Sequence, residues 1–326
     1  MSDYLGGIHS IGCASGTDAL YIGLLALNVQ PGDEIIIPDF TFISTGEVIS
    51  LLSAVPVFCD VDPVTFNLNP ELIENSITEN TVGIIPVSIF GQCADLDAIN
   101  AIAKKRGLWV MEDGAQSFGA EYNGKKSCTM TDIATTSFFP AKPLGAYGDG
   151  GAIFTDNDEL ASNIRMILNH GQSQRYHHKV IGLNGRMDSM QAAVLSVKLK
   201  HFDEELKSRR KAAEEYSRFL NGIVDIPQVV GKNTSVWAQY TIRHEKRDLI
   251  KEKLGEKGIP TAIHYPIPLH RQEAFAQLNN TGVNTPVTEK LSRTVMSLPI
   301  HPFLKSEDIG KVVKGIETVL GEIDAK

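Results

Sequence analysis

The sequence predicts an α/β protein: a mostly parallel central sheet with helices on both faces, followed by a smaller α+β domain. Three observations predict it. The first two-thirds of the chain alternates short β-rich runs with amphipathic stretches, which is how helices come to cover a parallel sheet. Several of those runs are continuously apolar, as strands buried on both faces should be. Past Met187 the alternation stops and a long charged amphipathic stretch takes over. The chain has 326 residues. At about 100–200 residues per domain, two domains are expected. The division is placed as 1–204 and 205–326.

In chain order, residues 1–9 read as the tail of a helix. Strands are expected at 34–37, 55–59, 82–87, 108–112, 134–138 and 151–155. Helices are expected between them at 17–27, 44–52, 69–77, 96–105 and 159–169. Asn69-Pro70-Glu71 puts a capping side chain before a proline at the first helical position. Thr155-Asp156-Asn157 offers polar caps to the helix after it. Beyond Met187 the charged helical stretch runs from 189 to about 219. A strand at 236–242, a helix near 248–254, a strand near 261–264 and a closing helix at 306–320 complete the reading.

Composition narrows the function. Hydrophobic residues make up 42% and charged residues 21%, ordinary for a folded soluble protein. The net charge of −8 disfavours a broad nucleic-acid or membrane-surface footprint. Cys13, Cys59, Cys93 and Cys128 are too scattered for a disulfide scaffold or a zinc site. No leader-like segment opens the chain, and no apolar run reaches about 18 residues. A cytoplasmic location is the expectation.

Three stretches carry chemistry. In Cys13-Ala14-Ser15-Gly16-Thr17-Asp18, a Ser-Gly-Thr turn opens a helix. Helix N-termini attract anions, and a glycine lets backbone approach a phosphate. Taken alone, the same turn is also a plain helix cap. Val110-Met111-Glu112-Asp113-Gly114-Ala115-Gln116 sets acids at the C-terminal end of a buried strand, the edge where open α/β sheets bind ligands. Ser137-Phe138-Phe139-Pro140-Ala141-Lys142-Pro143 sets a lysine in a turn after a strand, a position suited to a Schiff base. A lone lysine there is more often a surface residue. Gly119–Lys126 nearly matches a phosphate-binding loop, but its last position is Lys126, not Ser or Thr. It reads instead as a hairpin with an Asn123-Gly124 turn. This weighs against a nucleotide-binding module. No histidine grouping has metal-ligand spacing.

Jointly the three stretches supply a phosphate cradle, a carboxylate and a lysine. Pyridoxal 5'-phosphate (PLP) needs donors for its phosphate, an acid for its ring nitrogen and a lysine for its aldehyde. With SGTDAL, PGDEIIIPDFTF, EDGAQSFGA, SFFPAKPLGAYGDGGA, GLNGRMDSMQAAVL and HYPIPLH, the chain resembles the DegT/DnrJ/EryC1/StrS sugar aminotransferases from about Ile11 to the end. That resemblance implies the aspartate-aminotransferase (PLP type I) fold and a homodimer with composite sites. It implies that Lys142 takes the aldehyde and shuttles protons, and that Asp113 pairs with the ring nitrogen. Gln116 would lie near the ring hydroxyl, and Phe42 would stack on the ring. Ser15, Gly16, Thr17 and Ser137 would hold the phosphate. Asn184 would reach the phosphate of the neighbouring subunit's cofactor.

Several stretches, HGQSQRYHHKVIGLNGRMDSMQAAV among them, are similar to enzymes that aminate C3 of UDP-2-acetamido-2-deoxy-3-keto-glucuronic acid for bacterial surface polysaccharides such as O-antigen. The donor would be L-glutamate, in a ping-pong cycle. Arg186 is the candidate for the sugar carboxylate, because a guanidinium matches it bidentately. Arg175, Tyr176, His177, His178, His264 and Tyr265 would line the nucleotide-sugar side. A dTDP-linked 3-keto or 4-keto deoxysugar is the alternative substrate. A PLP-fold protein without turnover, acting as scaffold or regulator, is the alternative of another class. Relatives usually begin further upstream, so an N-terminal segment is expected to be missing.

Overall fold

Isoleucines 35, 36 and 37 show how the sheet forms. All three are fully buried in one strand. Side chains alternate across a strand, so Ile36 joins one apolar cluster while Ile35 and Ile37 join another on the opposite face. A strand buried on both sides needs cover on both sides, which the helices provide. The computed structural model describes residues 1–278 and 282–325.

The strands of the first part are β1 (His9–Cys13), β2 (Glu34–Pro38), β3 (Val55–Cys59), β4 (Thr81–Ile84) and β5 (Trp109–Asp113). The short hairpin β6 (Glu121–Tyr122) and β7 (Lys125–Lys126) follows, then β8 (Ile133–Ser137) and β9 (Gly151–Thr155). Seven of these form one sheet in the order β1-β9-β8-β5-β4-β2-β3. Every neighbouring pair from β3 across to β8 is parallel, while β9 runs antiparallel to both β8 and β1.

The helices are α1 (Gly16–Ala26), α2 (Ser44–Leu51), α3 (Pro70–Ile73), α4 (Leu96–Arg106) and α5 (Asp158–Ile167). Ala19, Leu20, Val48, Ile49 and Ile164 from α1, α2 and α5 pack on one face; Leu96, Ile99 and Ala103 of α4 pack on the other. Local chemistry starts and stops them. Ser15, Asn69, Asp95 and Asn157 each accept a backbone amide of the first turn, and Gly107 ends α4 at φ 71°.

The second part begins with a small hairpin, β10 (Gln172–Gln174) with β11 (His177–His178). Then come α6 (Ser189–Lys198) and α7 (Phe202–Leu220), joined by one 3-10 turn, Leu199–His201. The elements β12 (Asn233–Thr234), β13 (Tyr240–Arg243), α8 (Arg247–Glu256), α9 (Pro286–Thr294), β14 (Val295–Leu298) and α10 (Ser306–Asp324) finish the chain. Phe202 and Leu206 of α7 belong to the sheet's core, whereas its Ala212, Tyr216 and Leu220 pack with β13, β14, α8 and α10 in a separate core.

Five expectations need correction, the first being the strand at 236–242, of which only residues 240–242 lie in β13. The opening residues hold one 3-10 turn, Asp3–Leu5, and not a helix tail. Gly6 and Gly7, at φ 83° and 98°, end it, and β1 begins at His9. The run at 82–87 stops being a strand at Ile84, just ahead of Pro86. The helix at 69–77 is α3 plus a 3-10 turn, Glu74–Ser76. Residues 261–264 make a single bridge, Ala262 to Ser297 of β14, while β14 itself pairs with β13. The Asn123-Gly124 turn joins β6 and β7, with both residues at positive φ.

Candidate active site

The Ser-Gly-Thr turn follows β1 and opens α1. Ser15 caps the helix by accepting the Asp18 amide at 3.0 Å. The amides of Gly16 and Thr17 sit in the first helical turn and have no intrahelical acceptor. Thr17 Oγ1 is 2.9 Å from Ser44 Oγ. Ser137, at the end of β8, closes the other side. A Cβ on Gly16 would lie 2.6 Å from Ser137 Cβ, and one on Gly151 would lie 2.3 Å from the Ser15 carbonyl oxygen. Glycine is what lets these three backbones meet. The result is a cradle of amides and hydroxyls, the donor set a phosphate requires.

Asp113 ends β5 and is buried. Its Oδ2 accepts from Thr45 Oγ1 at 2.9 Å, and its Oδ1 accepts from the Ala115 amide at 3.1 Å. Burial pushes its carboxyl above the usual range. The Thr45 hydroxyl, the Ala115 amide and the Lys142 charge oppose that rise. A cation placed against this acid would favour its ionised form.

Lys142 lies in the turn after β8, half-buried. Its amide donates to the Phe139 carbonyl at 2.8 Å, and the Ala146 amide donates to the Phe138 carbonyl at 2.7 Å. Gly145 permits the turn, since a Cβ there would meet the Pro140 oxygen at 2.5 Å. Desolvation lowers the ammonium's pKa, with Asp113 pulling the other way. A lysine so placed gives up its proton more readily than one in water.

Gln116 is pinned at both ends. Its Oε1 accepts the Phe90 amide at 2.9 Å, and its Nε2 donates to the Tyr265 hydroxyl at 3.1 Å. Burial raises the pKa of that hydroxyl, so it stays protonated. The Phe42 ring, 53% exposed, lies 6.0 Å from the Tyr265 ring. His264 Nδ1 is 2.9 Å from Ser297 Oγ, and burial followed by the Lys142 charge holds its pKa down. His264 and Tyr265 were expected on the nucleotide-sugar side. Both lie within electrostatic reach of the Lys142–Asp113 pair.

The remaining candidates make other contacts. Asn184 and Arg186 are exposed, on backbone that bridges Asn169 and Cys13 respectively. Arg186 Nη1 donates to Asn169 Oδ1 at 2.6 Å. Arg175, Tyr176, His177 and His178 form the turn and second strand of the β10–β11 hairpin and are exposed, with Arg175 over the Tyr176 ring. Among the described residues, no hydrogen bond or ring contact joins these six to Lys142, Asp113 or Gln116. No group of three potential metal ligands occurs among the described residues either. Sequence reasoning missed Thr45, whose partner lies 68 positions away, and no local pattern announces it.

Cradle, buried acid and desolvated lysine all lie at the C-terminal edge of the parallel strands, and this set fits PLP. The comparisons agree. The model of the DegT/DnrJ/EryC1/StrS aminotransferase family matches residues 1–317. A UDP-2-acetamido-2-deoxy-3-oxo-D-glucuronate aminotransferase of Pseudomonas aeruginosa is 52% identical over 310 residues, 95% of this chain and 86% of that one. A family aminotransferase structure from Brucella abortus superposes with a TM-score of 0.94 at 41% identity, covering 97% of this chain and 87% of the other. The ntda structure from Bacillus subtilis, solved with bound cofactor PMP, gives 0.92 at 34% identity, covering 98% and 75%. The chain belongs to the DegT/DnrJ/EryC1/StrS aminotransferase family and is a PLP-dependent aminotransferase.

Proposed function

We propose that this chain moves an amino group from L-glutamate to C3 of UDP-2-acetamido-2-deoxy-3-keto-glucuronic acid, in a ping-pong cycle serving a bacterial surface polysaccharide. The observation that carries the reading is the meeting of Lys142 and Asp113 at one sheet edge, each shifting the other's proton affinity. The named substrate is that of the 52% identical relative.

Ser15, Gly16, Thr17 and Ser137 hold the cofactor phosphate through amides and hydroxyls. Asp113 holds the proton of the ring nitrogen, oriented by Thr45. Gln116 faces the ring oxygen and Phe42 covers the ring. When bound, PLP supplies an electron sink for the carbon that loses its proton. Lys142 would hold the aldehyde end at rest and, with its Nζ free, would move the proton at the donor's Cα; desolvation lowers that amine's pKa and so eases loss of its proton.

The substrate has a carboxylate and a diphosphate, so it needs cations. Arg186 is suited to the carboxylate, and the Arg175–His178 hairpin to the nucleotide side. Among the described residues neither makes a hydrogen bond or ring contact with Lys142 of the same chain, which supports a homodimer with each site built from two copies. Exposed Tyr147, Tyr176, Ile181 and Met190 support it too. Domains dividing near residue 204 and a cytoplasmic location complete the proposal. Among the described residues, no helix is long and apolar enough to cross a membrane.

An absorption scan with PLP, before and after L-glutamate, tests the reading. A visible band that falls as a near-ultraviolet band rises is the expected result. A PLP complex inert to glutamate and to other amino donors would refute it. Supplying the UDP-keto-uronate should restore the visible band, and Arg186→Ala should raise the concentration required.

A further inference from the structure

Asp39 follows β2, has no exposed surface, and belongs to none of the groups described above. Apart from its own amide, which donates to the Cys59 carbonyl at 2.9 Å, its bonds reach Thr285 and one distant segment around His270. Oδ2 accepts from Thr285 Oγ1 at 2.7 Å and lies 2.6 Å from His270 Nδ1. Oδ1 accepts the His270 amide at 2.8 Å. The Asp39 carbonyl accepts the Leu269 amide at 3.0 Å. His270 Nε2 in turn lies 3.5 Å from Glu289.

The segment so held is the one that carries Tyr265. Between Tyr265 and Leu269 the sequence reads Pro266-Ile267-Pro268, and two prolines stiffen that short tether. The other end of the tether is Tyr265, with its hydroxyl on Gln116 and its ring 6.3 Å from Phe40 and 6.0 Å from Phe42. One strand end therefore fixes the segment at Leu269 and His270 and presents Phe42 to the ring at its far end. A buried carboxylate is a costly way to pack two segments, and an apolar pair would serve stability as well. What the charged cluster adds is a defined register.

We infer that Asp39 is a positioning residue for the transamination site: by fixing Leu269 and His270 it sets where Tyr265 places its hydroxyl against Gln116. The inference rests on the aminotransferase reading above.

A double-mutant cycle of Asp39→Ala and Tyr265→Phe tests it, with two measurements on all four proteins. One is the PLP dissociation constant by equilibrium dialysis. The other is the single-turnover rate of the glutamate half-reaction, followed by loss of the visible band. A misplacement of about 1 Å can cost 100-fold, and a shift partly absorbed by the tether should cost roughly tenfold. The expected result is a roughly tenfold loss in Asp39→Ala, with the double variant no worse than Tyr265→Phe, because the two act through one contact. Effects that multiply, or wild-type affinity and rate in Asp39→Ala, overturn the inference. If Asp39→Ala fails to fold, Asp39→Asn keeps the size and one acceptor, and the same cycle applies with a smaller loss. A wild type that binds PLP but ignores every donor would refute the reaction, while the dialysis cycle would still decide the role of Asp39.

Discussion

Lys142 is a residue whose site works against its own charge. Burial lowers the pKa of its ammonium. Between that lowered value and the unfolded value near 10.4, the unfolded chain holds the extra proton, so apo-protein stability rises with pH through that window. At neutral pH, below the unfolded value, the folded chain bears the cost of desolvating that amine. Lys142→Met should therefore raise the apo melting temperature at pH 7 while removing the visible band with PLP, a trade of function for stability. A melting temperature that falls would show that the ammonium is well solvated. Such residues were legible in the sequence because each stands in its own motif: Lys142 after a strand, Asp113 at a strand end, Gly16 in a helix-opening turn. Thr45 and the Tyr265–Gln116 bond were not, because each depends on segments brought together only by folding.

At the scale of the element, β5 delivers two acids to opposite destinations. Alternation sends Asp113 to the site and Glu112 into the core. Glu112 has no exposed surface; it accepts from Ser88 Oγ at 2.7 Å, Ser127 Oγ at 2.8 Å and the Cys128 amide at 2.7 Å. Burial raises its pKa, and those donors work against the rise. Removing the carboxyl strands three donors without water. Glu112→Ala should cost about 3 kcal/mol in urea unfolding, the range for a buried group that loses its partners. Glu112→Gln should cost less, because its oxygen can accept the Cys128 amide while its amide faces two hydroxyls free to rotate. Equal losses would mean that the charge itself matters. The same physics decided which elements were readable. The interior strands β2, β5 and β9 and the edge strand β3 announce themselves by apolar runs. The edge strand β1 buries only Ile11 and Cys13 and is defined by its backbone pairing with β9. Such pairing leaves little trace in a short sequence window.

At the scale of the whole molecule, Asn184 makes no hydrogen bond to Lys142, Asp113 or Gln116 of its own chain among the described residues. Its side chain is exposed and, among the described residues, has no hydrogen-bond partner. An asparagine so placed suits a group on a second copy, and a two-fold dimer would repeat that contact at both sites. The overall α/β architecture was legible because layer order follows from alternation, whereas a subunit contact has no period in sequence. Complementation tests the composite site. Lys142→Ala removes the lysine, and Asn184→Asp sets a negative charge against the phosphate, so each homodimer should be inactive. In a mixed dimer, one site takes Lys142 from the second variant and Asn184 from the first, and is intact; the other site has both defects. Unfolding and refolding the two together at equal amounts makes half the dimers mixed, each with one good site. The mixture should recover roughly a quarter of wild-type glutamate turnover. If Asn184 served its own subunit, every site in the mixture would have one defect and no activity would return.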